Sequence, residues 1–138
     1  GHPFAAEFIG TPHGERTVLS FTEAESLRRR GLLDVPDLSA HATERQLHFT
    51  QTLPVYLDLR AHGAVARSGF RFGTHLRAYP RDPDACHAEW LIQCVRPDEG
   101  QHWSHTSRAV RLAHGVRKTF LLAGGEPVQY RAISWFRP

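Results

Sequence analysis

Between residues 87 and 95 apolar and polar positions alternate with a period of two. Ala88, Trp90, Ile92 and Cys94 fall on one face, and His87, Glu89, Leu91 and Gln93 on the other. That period belongs to a strand, because successive side chains leave a pleated chain on opposite sides. Further strands are predicted at 17–21, 64–66, 70–79, 119–123 and 128–136. Turn chemistry separates them at Ser68-Gly69, at Arg81-Asp82-Pro83-Asp84 and across Gly124-Gly125-Glu126-Pro127. Gly73, inside the 70–79 run, predicts a bend or a bulge.

Helical spacing replaces the alternation in three places. Thr22 with Glu25 three positions on predicts a capping box; the helix it opens stops at Gly31, where Arg28-Arg29-Arg30 complements the C-terminal dipole. The arginine triplet invites a nucleic-acid reading, but solvated arginines at a helix end explain it as well. From Thr43 onward Leu47, Thr50, Leu53 and Leu57 lie near one face of a helix ended by His62-Gly63. Pro54 predicts a kink there, or a start at Thr52-Leu53. The third helix is predicted over 104–117, with Val110, Ala113 and Val116 at core spacing. Together these elements predict an α+β fold, a mixed β-sheet flanked by helices behind a short α/β N-terminal module. Residues 36–42 read as a linker, so the expected division is 1–43 and 44–138.

Length, 138 residues, suits one compact domain with a small appendage, and 41% hydrophobic residues suffice for its core. No apolar run approaches the roughly 20 residues that span a bilayer. Two cysteines, Cys86 and Cys94, make no disulfide framework, so a reduced, cytoplasmic setting is expected (or a nuclear one in a eukaryote). Seventeen basic residues against fourteen acidic give a net charge of +3, compatible with a polyanion partner without demonstrating one. Sixteen of those seventeen are arginine, and Lys118 is the only lysine. A lone lysine in an arginine-dominated chain points to a place where a compact ammonium is required.

Three separated segments then carry a resemblance. Tyr56-Leu-Asp-Leu-Arg60, Gly69-Phe-Arg-Phe-Gly73 and Leu76-Arg-Ala-Tyr79 come first, and His87-Ala-Glu-Trp-Leu91 follows. Arg111-Leu-Ala-His-Gly-Val-Arg-Lys118 leads into an apolar strand. In this order and spacing, from about Arg45 to Pro138, the chain resembles the catalytic subunits of tRNA-splicing endonucleases, the archaeal type most closely. Residues 18–35 are similar to the end of that family's N-terminal domain, in shortened form. Gly115 stands where the family more often has serine.

The resemblance implies a nuclease-like catalytic domain with Tyr79, His87 and Lys118 as its catalytic residues. The implied reaction is attack of a ribose 2′-hydroxyl on the adjacent phosphate at bulge-helix-bulge splice sites of precursor tRNA. Its products are a 2′,3′-cyclic phosphate and a 5′-hydroxyl. The side chains suit that chemistry. An internal nucleophile needs no metal-bound water, so neither metal nor cofactor is expected. Histidine can serve as acid or base near neutral pH, and lysine can offset charge building on the phosphorane. Tyrosine, ordinarily titrating near ~10, needs a nearby cation to act as a base. The resemblance implies Tyr79 as base and His87 as acid. It also implies arginines that sandwich a bulged base by cation–π contact, carried over to Arg111 and to Arg137, with Arg131 the other candidate. Finally it implies assembly of four units, alike or different, through an acidic loop, for which Glu126 is the candidate.

Other readings compete. Cys86, His87, Cys94, His102 and His105 are legitimate zinc ligands, though not in the usual paired spacing. Asp84 and Glu89 echo a metal-dependent nuclease, but Leu91 stands where such a site needs a lysine. A noncatalytic, RNA-binding or structural subunit would keep the fold and lose the triad.

Overall fold

The computed structural model describes residues 7–38, 42, 48–96 and 100–135. Strands β1 (Thr11–His13) and β2 (Arg16–Val18) form a small antiparallel hairpin, followed by helix α1 (Phe21–Arg29) and helix α2 (Phe49–Ala61). Then come β3 (Val65–Ser68), a 3-10 turn (Phe70–Phe72), β4 (Leu76–Tyr79) and β5 (Trp90–Cys94). Helix α3 (Trp103–Gly115), β6 (Thr119–Gly124) and β7 (Gln129–Ile133) complete the chain. The large sheet has the order β3-β4-β5-β6-β7; β5 and β6 run parallel and the other neighbours antiparallel. The α+β expectation therefore stands. Only the β5–β6 pair needs a crossover, and α3 supplies it.

Each sheet face has its own core. Val55, Tyr56 and Leu59 of α2 meet Ala66, Leu76, Ala78, Ile92, Cys94 and Ala123 on one side. Ala109, Val110 and Ala113 of α3 meet Leu91 and Phe120 on the other. The alternation read at 88–94 is what puts Ile92 and Leu91 in opposite cores. Both are fully buried, each contributing about 1.5–3 kcal/mol of transfer free energy.

Several local expectations change. The capping box belongs to Ser20 and Glu23: the Ser20 side chain accepts from the Glu23 N–H (3.1 Å), and Glu23 accepts from the Ser20 N–H (3.0 Å). Glu25 is instead buried and clamped by Arg28 and Arg29. Helix α2 starts at Phe49, not at Thr52-Leu53, and continues past Pro54. Its buried residues are Phe49, Thr52, Leu53, Val55, Tyr56 and Leu59, while Thr50 is exposed. Packing on two sides, the sheet and the Ala42/Phe21 cluster, widens the apolar surface beyond one stripe and outweighs the proline. Thr43 and Leu47 lie outside the described residues.

The predicted 70–79 strand is a strand only from Leu76. Before it the chain tightens into the 3-10 turn, closed by Gly73 in the left-handed region at φ 75°. Gly69 is required as well, since a Cβ there would fall on Thr74 Oγ1 and the Leu76 backbone. Val116 caps α3 and is 39% exposed rather than in the core.

Candidate active site

Three adjacent strands share one register line. Ala78 pairs with Trp90, and Trp90 pairs with Thr119. Beyond that line the Glu89 N–H donates to the Ala78 carbonyl (3.0 Å), and the Thr119 N–H donates to the Glu89 carbonyl (2.9 Å). Because β4 runs antiparallel to β5 and β5 parallel to β6, one end of the sheet collects the end of β4 and the starts of β5 and β6. Tyr79 closes β4, Lys118 immediately precedes β6, and His87 lies three residues before β5. The fold thus brings all three predicted residues to one sheet end. Tyr79 and Lys118 stand two strands apart, about 10 Å between backbones. Strand alternation puts both side chains on the α3 side, with Leu91 and Phe120.

Lys118 is fixed by how α3 ends. Val116 is the C-cap, and Arg117 adopts the left-handed conformation at φ 59°. The Arg117 N–H donates to the His114 carbonyl (3.1 Å) and the Lys118 N–H to the Ala113 carbonyl (2.8 Å). This is the Schellman pattern, with an arginine where glycine usually sits. It reverses the chain so that Lys118 leaves the helix directly into β6. The ammonium donates to the Ala88 carbonyl (2.7 Å) and stands 5.7 Å from the centre of the Phe72 ring. One N–H is used there, leaving two for a substrate oxygen.

Tyr79 has a partner that sequence reasoning passed over. Arg77 Nε donates to the Tyr79 hydroxyl at 2.8 Å, with the guanidinium 5.9 Å from the ring centre. Arg77 also donates to the Ser68 carbonyl. An i, i+2 pair on a strand shares a face, so the Arg77-x-Tyr79 spacing held this signal. The charge-assisted hydrogen bond fixes where the phenol oxygen sits. His87 is exposed and has no hydrogen-bond partner among the described residues, which leaves both ring nitrogens available. The preceding loop is built by an Asp82 turn: Asp82 Oδ1 accepts from the Asp84 N–H (2.8 Å), and its carbonyl accepts from the Ala85 N–H (3.0 Å).

Arg111 is exposed on α3, with its guanidinium 4.4 Å from the centre of the Trp135 ring. Trp135 was not among the expected residues; an exposed tryptophan two places after Ile133, on the β7 face shared with Arg131, was the available clue. Arg131 is exposed opposite Leu122. Arg137 lies outside the described residues. Glu126 is exposed at the β6–β7 turn, beside a cavity also lined by Asp58, Val95 and Arg96.

The zinc reading does not assemble: among the described residues no three His, Cys, Asp or Glu side chains are placed to hold a metal ion. Cys94 is buried in the α2 core, where burial pushes its thiol up to about 12. Leu91, at the position a metal nuclease would give to lysine, is fully buried.

Residues 49–130 match the family model described as the catalytic C-terminal domain of tRNA intron endonuclease. The chain belongs to the tRNA intron endonuclease family. Its relatives include a tRNA-splicing endonuclease of Methanopyrus kandleri, 34% identical over 93% of this chain and 77% of the relative. One from Hyperthermus butylicus is 35% identical over 87% of this chain and 74% of the relative. Another, from Methanococcoides burtonii, is 35% identical over 87% of this chain but only 38% of its own, longer sequence. No helix among the described residues is long and apolar enough to cross a membrane.

Proposed function

We propose that this endonuclease excises introns from precursor tRNA, cutting at bulge-helix-bulge sites by 2′-hydroxyl attack. The reading is carried by the convergence of Tyr79, His87 and Lys118 at one sheet end. Tyr79, with Arg77 at its oxygen, takes the 2′-hydroxyl proton. The 2′-oxygen bonds to phosphorus, and the P–O5′ bond breaks. His87 delivers a proton to the departing 5′-oxygen. Lys118 donates to a non-bridging oxygen as negative charge accumulates on the phosphorane. A 2′,3′-cyclic phosphate and a 5′-hydroxyl result, with no metal and no cofactor in the scheme.

Arg111 and Trp135 serve as the two faces of a base clamp: a bulged base that enters between them exchanges one cation–π contact for two stacking contacts. Residues 1–43 act as an N-terminal module and 44–138 as the catalytic domain. Two cleavages per intron call for two active sites at fixed separation, which fits an assembly of four units, alike or different, with Glu126 at a subunit contact. The setting is cytoplasmic, or nuclear in a eukaryote.

The test is cleavage of an intron-containing precursor tRNA in excess EDTA, with end-group analysis. Cyclic phosphate and 5′-hydroxyl ends are expected. Cleavage restored only by added metal, or 5′-phosphate ends, overturns the mechanism. Binding without cleavage by the assembled protein makes it the noncatalytic subunit.

A further inference from the structure

Between Leu59 and Arg81 the chain has five arginines (Arg60, Arg67, Arg71, Arg77 and Arg81) and no acidic residue. The β3–β4 hairpin lies within this stretch. Its register sets Arg67 directly opposite Arg77, a like-charge pair that destabilises the sheet unless an anion joins it. Arg77 is engaged by Tyr79 and Ser68. Arg67 has no hydrogen-bond or ion-pair partner among the described residues.

At the hairpin tip Phe70 is 88% exposed and belongs to none of the hydrophobic clusters. A single exposed apolar residue ordinarily means little. Here its surroundings are particular. Phe70, Arg67 and Arg77 line one cavity of about 770 Å³, with the polar groups of Thr74 and His75 in the same wall. The next residue, Arg71, stands 5.9 Å from the Phe72 ring centre, and that same ring carries Lys118. The tip therefore adjoins Lys118 through Phe72, and the stem adjoins Tyr79 through Arg77. The four residues of β4, at ~3.3 Å each, separate the tip from Tyr79 by roughly 10–13 Å. That distance reaches past the reacting nucleotide to one flanking it.

We propose that the β3–β4 hairpin is an RNA-binding arm. Phe70 stacks an unpaired nucleobase flanking the scissile phosphate, and Arg67 and Arg71 take the phosphates on either side of that base. The combination of an aromatic platform with unpaired cations is what single-stranded nucleic acid recognises. A protein partner would bring the acidic or apolar complement instead; the carboxylate in that cavity wall, Glu23, already accepts from the Ser20 and Gly10 N–H groups, and no acidic residue lies between Leu59 and Arg81, which favours the polyanion. This inference rests on the reading of the chain as an RNA endonuclease.

The probe is a splice-site RNA made uncleavable by a 2′-deoxy sugar at the cleavage position, with 2-aminopurine in the unpaired nucleotides flanking it. Phe70→Ala should raise Kd roughly five- to a hundred-fold and abolish the stacking quench of 2-aminopurine, while Phe70→Trp retains both. Arg67→Gln should weaken binding for all sequences and lower the salt slope by about 0.7. Phe70 packs into no core, so its variants should melt like the wild type. If wild type binds and cleaves while Phe70→Ala keeps the same Kd and quench, the arm is refuted and the endonuclease reading survives. If Phe70→Ala changes only the sedimentation coefficient, the surface is a contact between copies and the proposal also falls. Failure of the wild type itself to bind or cleave refutes the underlying reading and this one with it.

Discussion

His75 makes the stability of this fold depend on pH below neutrality. Its Nδ1 accepts the Cys94 backbone N–H at 2.9 Å, so the half-buried ring is held as the neutral tautomer with its proton on Nε2. Burial lowers its pKa from 6.5 to about 4, and positive charge on His48 and His105 adds to the effect. The His48 ring lies 4.6 Å away, tilted by 43°. The folded value lies below the unfolded one, so the unfolded chain binds the extra proton between them. The associated stability is complete above about pH 6.5, falls as pH drops, and is gone near pH 4. The full shift corresponds to about 3 kcal/mol; partial solvent access reduces that to roughly 2 kcal/mol. His75→Asn is the informative variant, because Oδ1 can take the place of Nδ1 as acceptor without titrating. Urea unfolding of both proteins at pH 7.5, 6.5, 5.5 and 4.5 isolates the term, since the carboxylates titrate alike in each. The wild type should lose roughly 2 kcal/mol more than His75→Asn between the ends of the series. Parallel curves, or an NMR titration of His75 near its ordinary value, would refute the reasoning.

Lys118→Ala should leave RNA binding nearly intact and cut single-turnover cleavage at least ~10²–10³-fold; cleavage at the wild-type rate would remove Lys118 from the chemistry. Arg117→Gly should stabilise the protein by about 0.5–1 kcal/mol in urea, because glycine enters the left-handed position with little strain; a loss of stability would mean the arginine side chain matters more than its backbone. Glu25→Gln should cost about 1–2 kcal/mol, since two arginines lose a fully buried carboxylate at 2.7 Å but can hydrate. Because those arginines hold the Glu25 carboxyl below its ordinary value, that contribution persists above the unfolded pKa and disappears only as pH falls through the lower folded one.

Much of the candidate site was legible before any tertiary structure. The residue types and order of Tyr79, His87 and Lys118, and the isolation of one lysine among sixteen arginines, are properties of the chain itself. So are the alternation of β5 and the helical spacing of α3, because local periodicity reports which side of an element is buried. What escaped depended on partners distant in sequence. Whether Ser20 or Thr22 caps α1 turned on Glu23 also receiving the Gly10 N–H at 2.7 Å. Whether Pro54 would break α2 turned on packing from two sides, and the 3-10 turn at 70–72 on the close approach of Gly69 to Thr74 and Leu76. The Arg111–Trp135 contact joins a helix to the residues after the last strand, a pairing no periodicity encodes. The order and chemistry of the residues alone set which groups are available for reaction and which faces seek burial. The register Ala78–Trp90–Thr119 decided that three groups from separate segments meet at one sheet end. Strand pairing is a long-range choice, made by the burial of two cores at once, and only the folded sheet contains it.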